Sequence, residues 1–401
     1  MFHASKALII LWRLTGLGTF SLSSRPPPPS SRLSAVYAVT IYSAYAYLFS
    51  VLTFGRLSTY SRLENSTSMF LIHAMKDMNV TTLFVATTAV YWGTIVYRRQ
   101  HVQVYAEHAA AVHQLFGTAT PVGRAMGAYC WALYVLLVVA LSLDVRRYSG
   151  SMSWSFGAVY IWSHYVMLTG HMQFGITVFG LRQCYSELNC RIRAGSAGRS
   201  HDSGLHEYGP AAAANTAKTS SSDVPLQNVM FVCVLEKVNL LTILKYWCDV
   251  HWSITQIVFR VNNLFKFRLF IFFLCGLLQL TLTPYLLSLT ILNEDIDVLR
   301  YILDYTLWFI IHILRVVLMI YPCALLGEEA AKTPILLGSY LNTKIDLFDL
   351  KKIETYVQQL AANTPEFSIY SMFIINKQLV VTLTGAVTTY LVIILQLQGQ
   401  S

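Results

Sequence analysis

The chain has 401 residues, 55% of them hydrophobic and 12% charged, with 29 Lys and Arg against 20 Asp and Glu. Soluble domains average about 25% charged residues, so a water-soluble globule of this size is excluded: it would lack the polar residues to cover its surface. The net charge of +9 does not point to nucleic acid, because no basic stripe with interleaved aromatics accompanies it.

In chain order, residues 1–32 form a polar N-terminal segment containing Pro26-Pro27-Pro28-Pro29, a stiff polyproline element. The run Ala7 to Trp12 is too short for a signal-peptide core, so the first span is expected to act as the insertion signal. Residues 33–181 contain four stretches free of Asp, Glu, Lys and Arg: 23 residues after Arg32, 20 after Asp77, 19 after Arg124 and 34 after Arg147. A bilayer core about 30 Å thick needs roughly 20 apolar residues as helix, so each can span. Residues 182–266 read as a cytoplasmic loop. Within it, 194–225 is rich in Gly, Ala, Ser and Thr and is expected to be a disordered insert. The following 226–266 has the pattern of an amphipathic helix running directly into the next span. Residues 267–326 hold the fifth and sixth spans, the sixth apolar apart from Asp304, His312 and Arg315. A second cytoplasmic amphipathic helix is expected over 339–362, broken by Thr364-Pro365 before a last helix over 367–398. The prediction is an all-α fold of seven transmembrane helices.

Charge gives the orientation. One set of alternate loops carries 21 Lys and Arg and the other 6; leaving out the long fourth loop still gives 11 against 6. The positive-inside rule then places the N-terminus inside and the C-terminus outside. The sequon at Asn65 falls in the first external loop and is a candidate glycosylation site, whereas the sequon at Asn79 touches the start of a helix. None of the seven cysteines lies in a predicted external loop, and no CxxC pair occurs. No cofactor or metal site and no catalytic motif is expected.

The last predicted helix closes with Thr389-Tyr390-Leu391-Val392-Ile393-Ile394-Leu395-Gln396-Leu397. This resembles the signature of insect gustatory receptors: Thr-Tyr, five hydrophobic residues, Gln, then usually Phe. Leu397 departs from that last position. Gly385-Ala386-Val387, His251 with Asn262-Asn263-Leu264-Phe265, and Arg13-Leu14-Thr15-Gly16-Leu17 also look like the family. The resemblance implies a ligand-gated cation channel in the plasma membrane, assembled as a homotetramer or heterotetramer with related receptors, with the last helices lining one central pore. It implies a small-molecule tastant as ligand and cations as the permeating species. The stretch before Thr389 looks more like the branches that do not sense sugars. By the same resemblance the gate is expected at Ile393, Gln396 and Leu397. Helical spacing puts Thr389, Val392, Ile393, Gln396 and Leu397 on one face, with Thr389 and Val392 lining the pore. Four such faces would give a hydrophobic constriction topped by amides. Gln396 at a helix end could instead meet water or headgroups. Tyr390 faces elsewhere and is expected to pack between subunits.

In that family the ligand lies in each subunit's outer half, between the bundle helices. With the predicted topology the outer-half candidates are Trp154, Tyr160, Trp162, Tyr165, Tyr285, Tyr301, Asp304, Tyr305 and Trp308. Aromatics with polar tips suit small, partly polar organic ligands; aromatic belts at any membrane interface produce the same pattern. Asp304 could also pair with Arg300, and Arg315 with a group across the bundle. His164 and His171, seven residues apart, read as structural hydrogen-bonding groups. Lys377 is expected in the inner half of the last helix, turned away from the cation path or reaching the headgroups.

Other seven-helix classes fit less well. An odorant-receptor-type channel shares the chemistry and differs mainly in clade. A G-protein-coupled receptor predicts an external N-terminus, an Asp/Glu-Arg-Tyr after the third helix and Asn-Pro-x-x-Tyr in the last; Asp144 is followed by Val145-Arg146 and the last helix has no proline. A secondary transporter predicts repeats with broken helices, and none is seen.

Overall fold

A computed structural model describes residues 12–17, 32–60, 67–116, 124–148, 154–204, 240–292, 298–342 and 347–399. Nearly all of these are helical: α1 (Arg32–Tyr60), α2 (Thr67–Val96), α3 (Arg98–Phe116), α4 (Arg124–Tyr148), α5 (Trp154–Gly204), α6 (Leu240–Leu292), α7 (Val298–Gly338), α8 (Leu347–Ala362) and α9 (Lys377–Gly399). The helix is forced by the solvent: in hydrocarbon each backbone N–H and C=O must find its partner within the segment. Among the described residues, six helices are long and apolar enough to cross a membrane: α1, α2, α4, α6, α7 and α9.

The predicted fourth span is the exception, although α5 is continuous through it. Its Ser, Thr, His and Gln lower the hydropathy, and they face neighbouring helices instead of lipid. Tyr45 of α1 pairs with Ser163 at 2.8 Å, Tyr134 of α4 with Thr169 at 2.9 Å and Tyr105 of α3 with Thr177 at 3.2 Å. A helix enclosed by other helices has its polar groups satisfied across the bundle and needs no lipid-like surface.

The chain divides into two compact units. The first comprises residues 1–180, 257–325 and 366–401, with a buried core that includes Leu133, Leu137, Leu168, Met172, Ile176, Ile311 and Leu318. The short N-terminal piece is packed into it: Tyr91 donates to the Thr15 carbonyl at 2.9 Å and Gln173 to the Leu17 carbonyl at 3.3 Å. Gly16 between them has φ +74°, and a Cβ there would also press on the Ala38 backbone, so glycine is required twice over.

The second unit comprises residues 181–256 and 326–365. Asn189 is its hub, donating to the Glu329 carbonyl at 2.8 Å and accepting from Thr333 at 2.8 Å. Tyr185 pairs with Thr255 at 2.8 Å, and Tyr340 donates to the Ile192 carbonyl at 2.8 Å. The amphipathic α8 buries Ile353 and Leu360.

Several boundaries differ from the sequence reading. Helix α6 runs unbroken from Leu240 to Leu292, as the reading of a helix leading into the fifth span requires, while 226–239 lie outside the described residues. At 53 residues it is about 80 Å long, more than twice a bilayer core. The insert expected to be disordered over 194–225 is helical as far as Gly204, because Ala194 and Ala197 extend a helix already nucleated; 205–225 lie outside the described residues. The amphipathic segment 339–362 is a 3-10 turn, Ser339–Asn342, followed by α8 from Leu347. Helix α3, in the second loop, was not anticipated; its charged and His-rich sequence masks the pattern.

The last helix begins at Lys377, ten residues later than the expected 367. Residues 368–374 form a hairpin, with Ser368–Ile369 antiparallel to Phe373–Ile374. Its three-residue connection, 370–372, has Tyr370 and Ser371 in the left-handed region with φ 49° and 58°. Met372 N donates to the Ile369 carbonyl at 2.9 Å to close it. Asn376 then caps α9 by accepting from Leu379 N at 3.1 Å. Lys377 is thus the first residue of α9, at its inner end in the predicted topology.

Candidate ligand site and the exposed last helix

On α7, Asp304, Trp308, His312 and Arg315 fall at i, i+4, i+8 and i+11, one stripe of a helix, and all four are buried. On α5, Tyr160, His164, Met167 and His171 fall at i, i+4, i+7 and i+11, likewise one stripe, and Tyr160, His164 and Met167 meet that of α7. The Trp308 ring lies 4.3 Å from His164 and 5.8 Å from His312, and Tyr160 stands edge-on to His164 at 4.6 Å. Helix α4 contributes Asp144, whose carboxylate accepts from Trp308 Nε1 at 3.0 Å. The Asp144 carboxyl also meets Asp304 and the Tyr160 hydroxyl. Three turns deeper, Arg315 Nη2 donates to His164 Nδ1 at 3.3 Å and Nη1 reaches only the Met167 sulfur at 3.8 Å. The cluster therefore has an acidic end at Asp144 and Asp304, an aromatic middle, and a basic end at Arg315.

Of the residues singled out from sequence, Tyr160, Asp304 and Trp308 come together here. Trp162 and Tyr165 sit beside them in a second aromatic group with Tyr134, at 6.3 Å and 5.6 Å. Tyr285 is buried on α6 and has no ring contact with the cluster; Tyr305 is half-buried on α7. The side chains of Trp154 and Tyr301, like those of Arg300 and Leu397, lie outside the described residues, and so does Asn65. Asn79 falls inside α2. Asp144 was missed: read only as the charge that ends the third span, it is a buried member of the site. The signal available for it was an ionisable side chain at the edge of a span, which calls for a partner.

Helix α9 has the opposite character. Its buried residues are Leu379 and Leu383, with Ala386, Val387, Leu391 and Ile394 half-buried, all on one side. The other sides are exposed, including Thr389, Tyr390, Val392, Ile393 and Gln396. An open groove along it is lined by Val380, Val381, Thr384, Gly385, Thr388 and Thr389. Only 11% of its spanning window is covered by the chain's own residues. The hairpin anchors its start to α6. Asn262 Oδ1 accepts from Ser368 N at 3.2 Å, Phe373 packs on Phe273 at 4.7 Å, and Lys266 lies 5.7 Å over the Tyr370 ring. The Asn262 and Phe265 of the sequence motif thus have structural tasks: Asn262 holds the hairpin, and the buried Phe265 meets His101 of α3 edge-on at 5.5 Å.

Comparison with known proteins agrees with this architecture. The fold is similar to that of the insect olfactory receptor OR5 from Machilis hrabei, with a TM-score of 0.66, 13% identity, and coverage of 98% of this chain and 97% of that one. The same receptor in complex with eugenol matches with a TM-score of 0.65, 14% identity and the same coverage. In sequence, 156 residues are 27% identical to the gustatory receptor for sugar taste 43a of Drosophila melanogaster, 39% of this chain and 36% of that protein's length. The 7tm chemosensory receptor family model matches residues 6–400. This membrane protein therefore belongs to the 7tm chemosensory receptor family.

Proposed function

We propose that the chain is a gustatory-type chemosensory receptor that acts as a ligand-gated, non-selective cation channel, opened by a small-molecule tastant. Four copies, identical or mixed with related receptors, surround one pore in the plasma membrane, each with its N-terminus inside and its C-terminus outside. The observation that carries this reading is α9: a capped, apolar helix at the end of the chain that leaves Thr389, Val392, Ile393 and Gln396 uncovered. A face with Thr and Gln is costly against lipid, and its costs are offset when copies place it around water. Ile393 with Leu397 then forms the hydrophobic constriction and Gln396 the amide ring above it. Tyr390, 59% exposed in the single chain, has the exposure of a residue that packs against a neighbouring copy.

The tastant is assigned to the cluster between α4, α5 and α7, where Tyr160, Trp308 and Asp304 offer rings and a carboxyl. The eugenol complex of the olfactory receptor of similar fold supports a small organic ligand within this architecture. The relative named for sugar taste favours a polyhydroxylated ligand, against the lean from the C-terminal stretch toward other branches; paired carboxyls and ring faces suit hydroxyl-rich molecules as well as aromatic ones.

The test is whole-cell current in cells expressing this chain during a screen of sugars and bitter compounds, with Gln396→Ala beside it. A ligand-evoked cation current without G-protein signalling, changed in conductance or selectivity by the substitution, is expected. A second-messenger response with no direct current would refute the channel reading.

A further inference from the structure

We propose that Arg315, with His164, forms an anion-binding site inside the helical bundle, occupied by the carboxylate of a small organic acid or by a free halide. Arg315 is 2% exposed, on the span-forming part of α7. Its guanidinium carries five N–H donors and a permanent charge. Nη2 donates to His164 Nδ1 and Nη1 faces the sulfur of Met167, a weak acceptor; Nε has no partner. Among the described residues no carboxylate forms an ion pair with it. Asp304 stands eleven residues earlier on the same helix, about 16 Å along the axis, and Asp144 is engaged there with Trp308 and Tyr160.

The sign of the missing partner follows from the donors. Arginine cannot accept, so His164 Nδ1 must, and the hydrogen of that ring is then on Nε2. Nε2 is also buried without a partner. The unpartnered groups of Arg315 and His164 are thus N–H donors beside a positive charge that has no carboxylate partner among the described residues. Such a charge in a low-dielectric bundle is destabilising until an opposite charge is supplied. A cation would be repelled, and a neutral acceptor would leave the charge unmatched; a small anion satisfies both. The rings of Trp308, His164 and Tyr160 pack within 4.3 to 6.2 Å of one another between the acidic end and Arg315. The organic-acid source rests on reading this cluster as the tastant site, whereas the halide source does not.

The experiment measures binding, so that it stands apart from channel activity. The purified full-length chain in lipid nanodiscs is unfolded thermally while sodium benzoate, sodium chloride or neutral benzamide is titrated against a bulky sulfonate at constant sodium. A saturable rise in Tm with benzoate or chloride is expected, absent with benzamide, lost in Arg315→Gln and retained in Arg315→Lys. A benzoate response alone assigns the anion to an organic acid, and an equal or larger chloride response to a free halide; either supports the site. Equal shifts with benzoate and benzamide and none with chloride, an anion shift undiminished in Arg315→Gln, or no saturable shift in the wild type would overturn it. If Arg315→Gln fails to fold, the responses of the wild type to the two anions and to benzamide still decide.

Discussion

Trp308 ties the aromatic middle of the candidate site to its acidic end through one hydrogen bond, Nε1 to Asp144 at 3.0 Å. Trp308→Phe keeps a ring and removes the donor, leaving a buried carboxyl short of a partner. The expected loss is about 1–3 kcal/mol, read as a lower Tm of the purified protein, with a weaker ligand response in the same variant if the cluster holds the tastant. His108 makes a different kind of prediction. It is buried on α3, outside the spans, and burial pushes its pKa down to about 4. Because the folded value lies below the ordinary value of about 6.5, stability is full above about pH 6.5 and falls as pH drops from there toward about 4. The unfolded chain takes up a proton that the folded one refuses. At pH 5 the loss is about 2 kcal/mol. His101, also buried and lowered, acts in the same sense, so the comparison is between wild type and His108→Gln. The variant should show the shallower fall of Tm between pH 7 and pH 5.

Elements are held together here by close approaches that tolerate little change. At Gly93 of α2 a Cβ would collide with the guanidinium of Arg268, which is itself fixed by Thr94 at 2.7 Å and His101 at 3.1 Å. Gly93→Ala must displace that group, and a destabilisation of about 1–3 kcal/mol is expected, measurable as reduced Tm and reduced surface expression. The hairpin before α9 points the other way. Ser371 has φ 58°, a conformation that costs a non-glycine residue about 1 kcal/mol. Ser371→Gly should therefore raise stability by up to about 1 kcal/mol, whereas Ser371→Val should lower it. The hairpin also shows why the sequence reading placed the start of the last helix too early. Phe367, Ile369, Phe373 and Ile375 are as apolar as the helix that follows, and Pro365 alone marked the break. The left-handed turn at Tyr370-Ser371 lacks the Gly or Asn that announces such turns, so nothing local separated strand from helix. The run of amphipathic helix into the fifth span was legible because α6 keeps its period through Arg260 and Lys266.

Across the whole molecule, the six described helices that are long and apolar enough to cross a membrane were readable from uncharged or nearly uncharged runs, since lipid permits little else. Helix α5, expected from its uncharged run as the fourth span, is continuous through that stretch although its hydropathy is low, because Ser163, Thr169 and Thr177 pair with tyrosines of neighbouring helices. The site was only partly readable. Tyr160, Asp304 and Trp308 could be taken from topology, but the partnership with Asp144 depends on how α4 packs against α7, which no local pattern encodes. The proposed pore face is the least constrained by a single chain, because in the proposed assembly other copies complete it. Its direct test is single-cysteine scanning of α9 from Thr388 to Gln396 in cells giving the evoked current, with a water-soluble thiol reagent. Block is expected at positions 389, 392, 393 and 396 and none at 387, 391 and 394, which face the chain's own helices. Block at the second set, or no block at any position while the current persists, would contradict a pore lined by this helix.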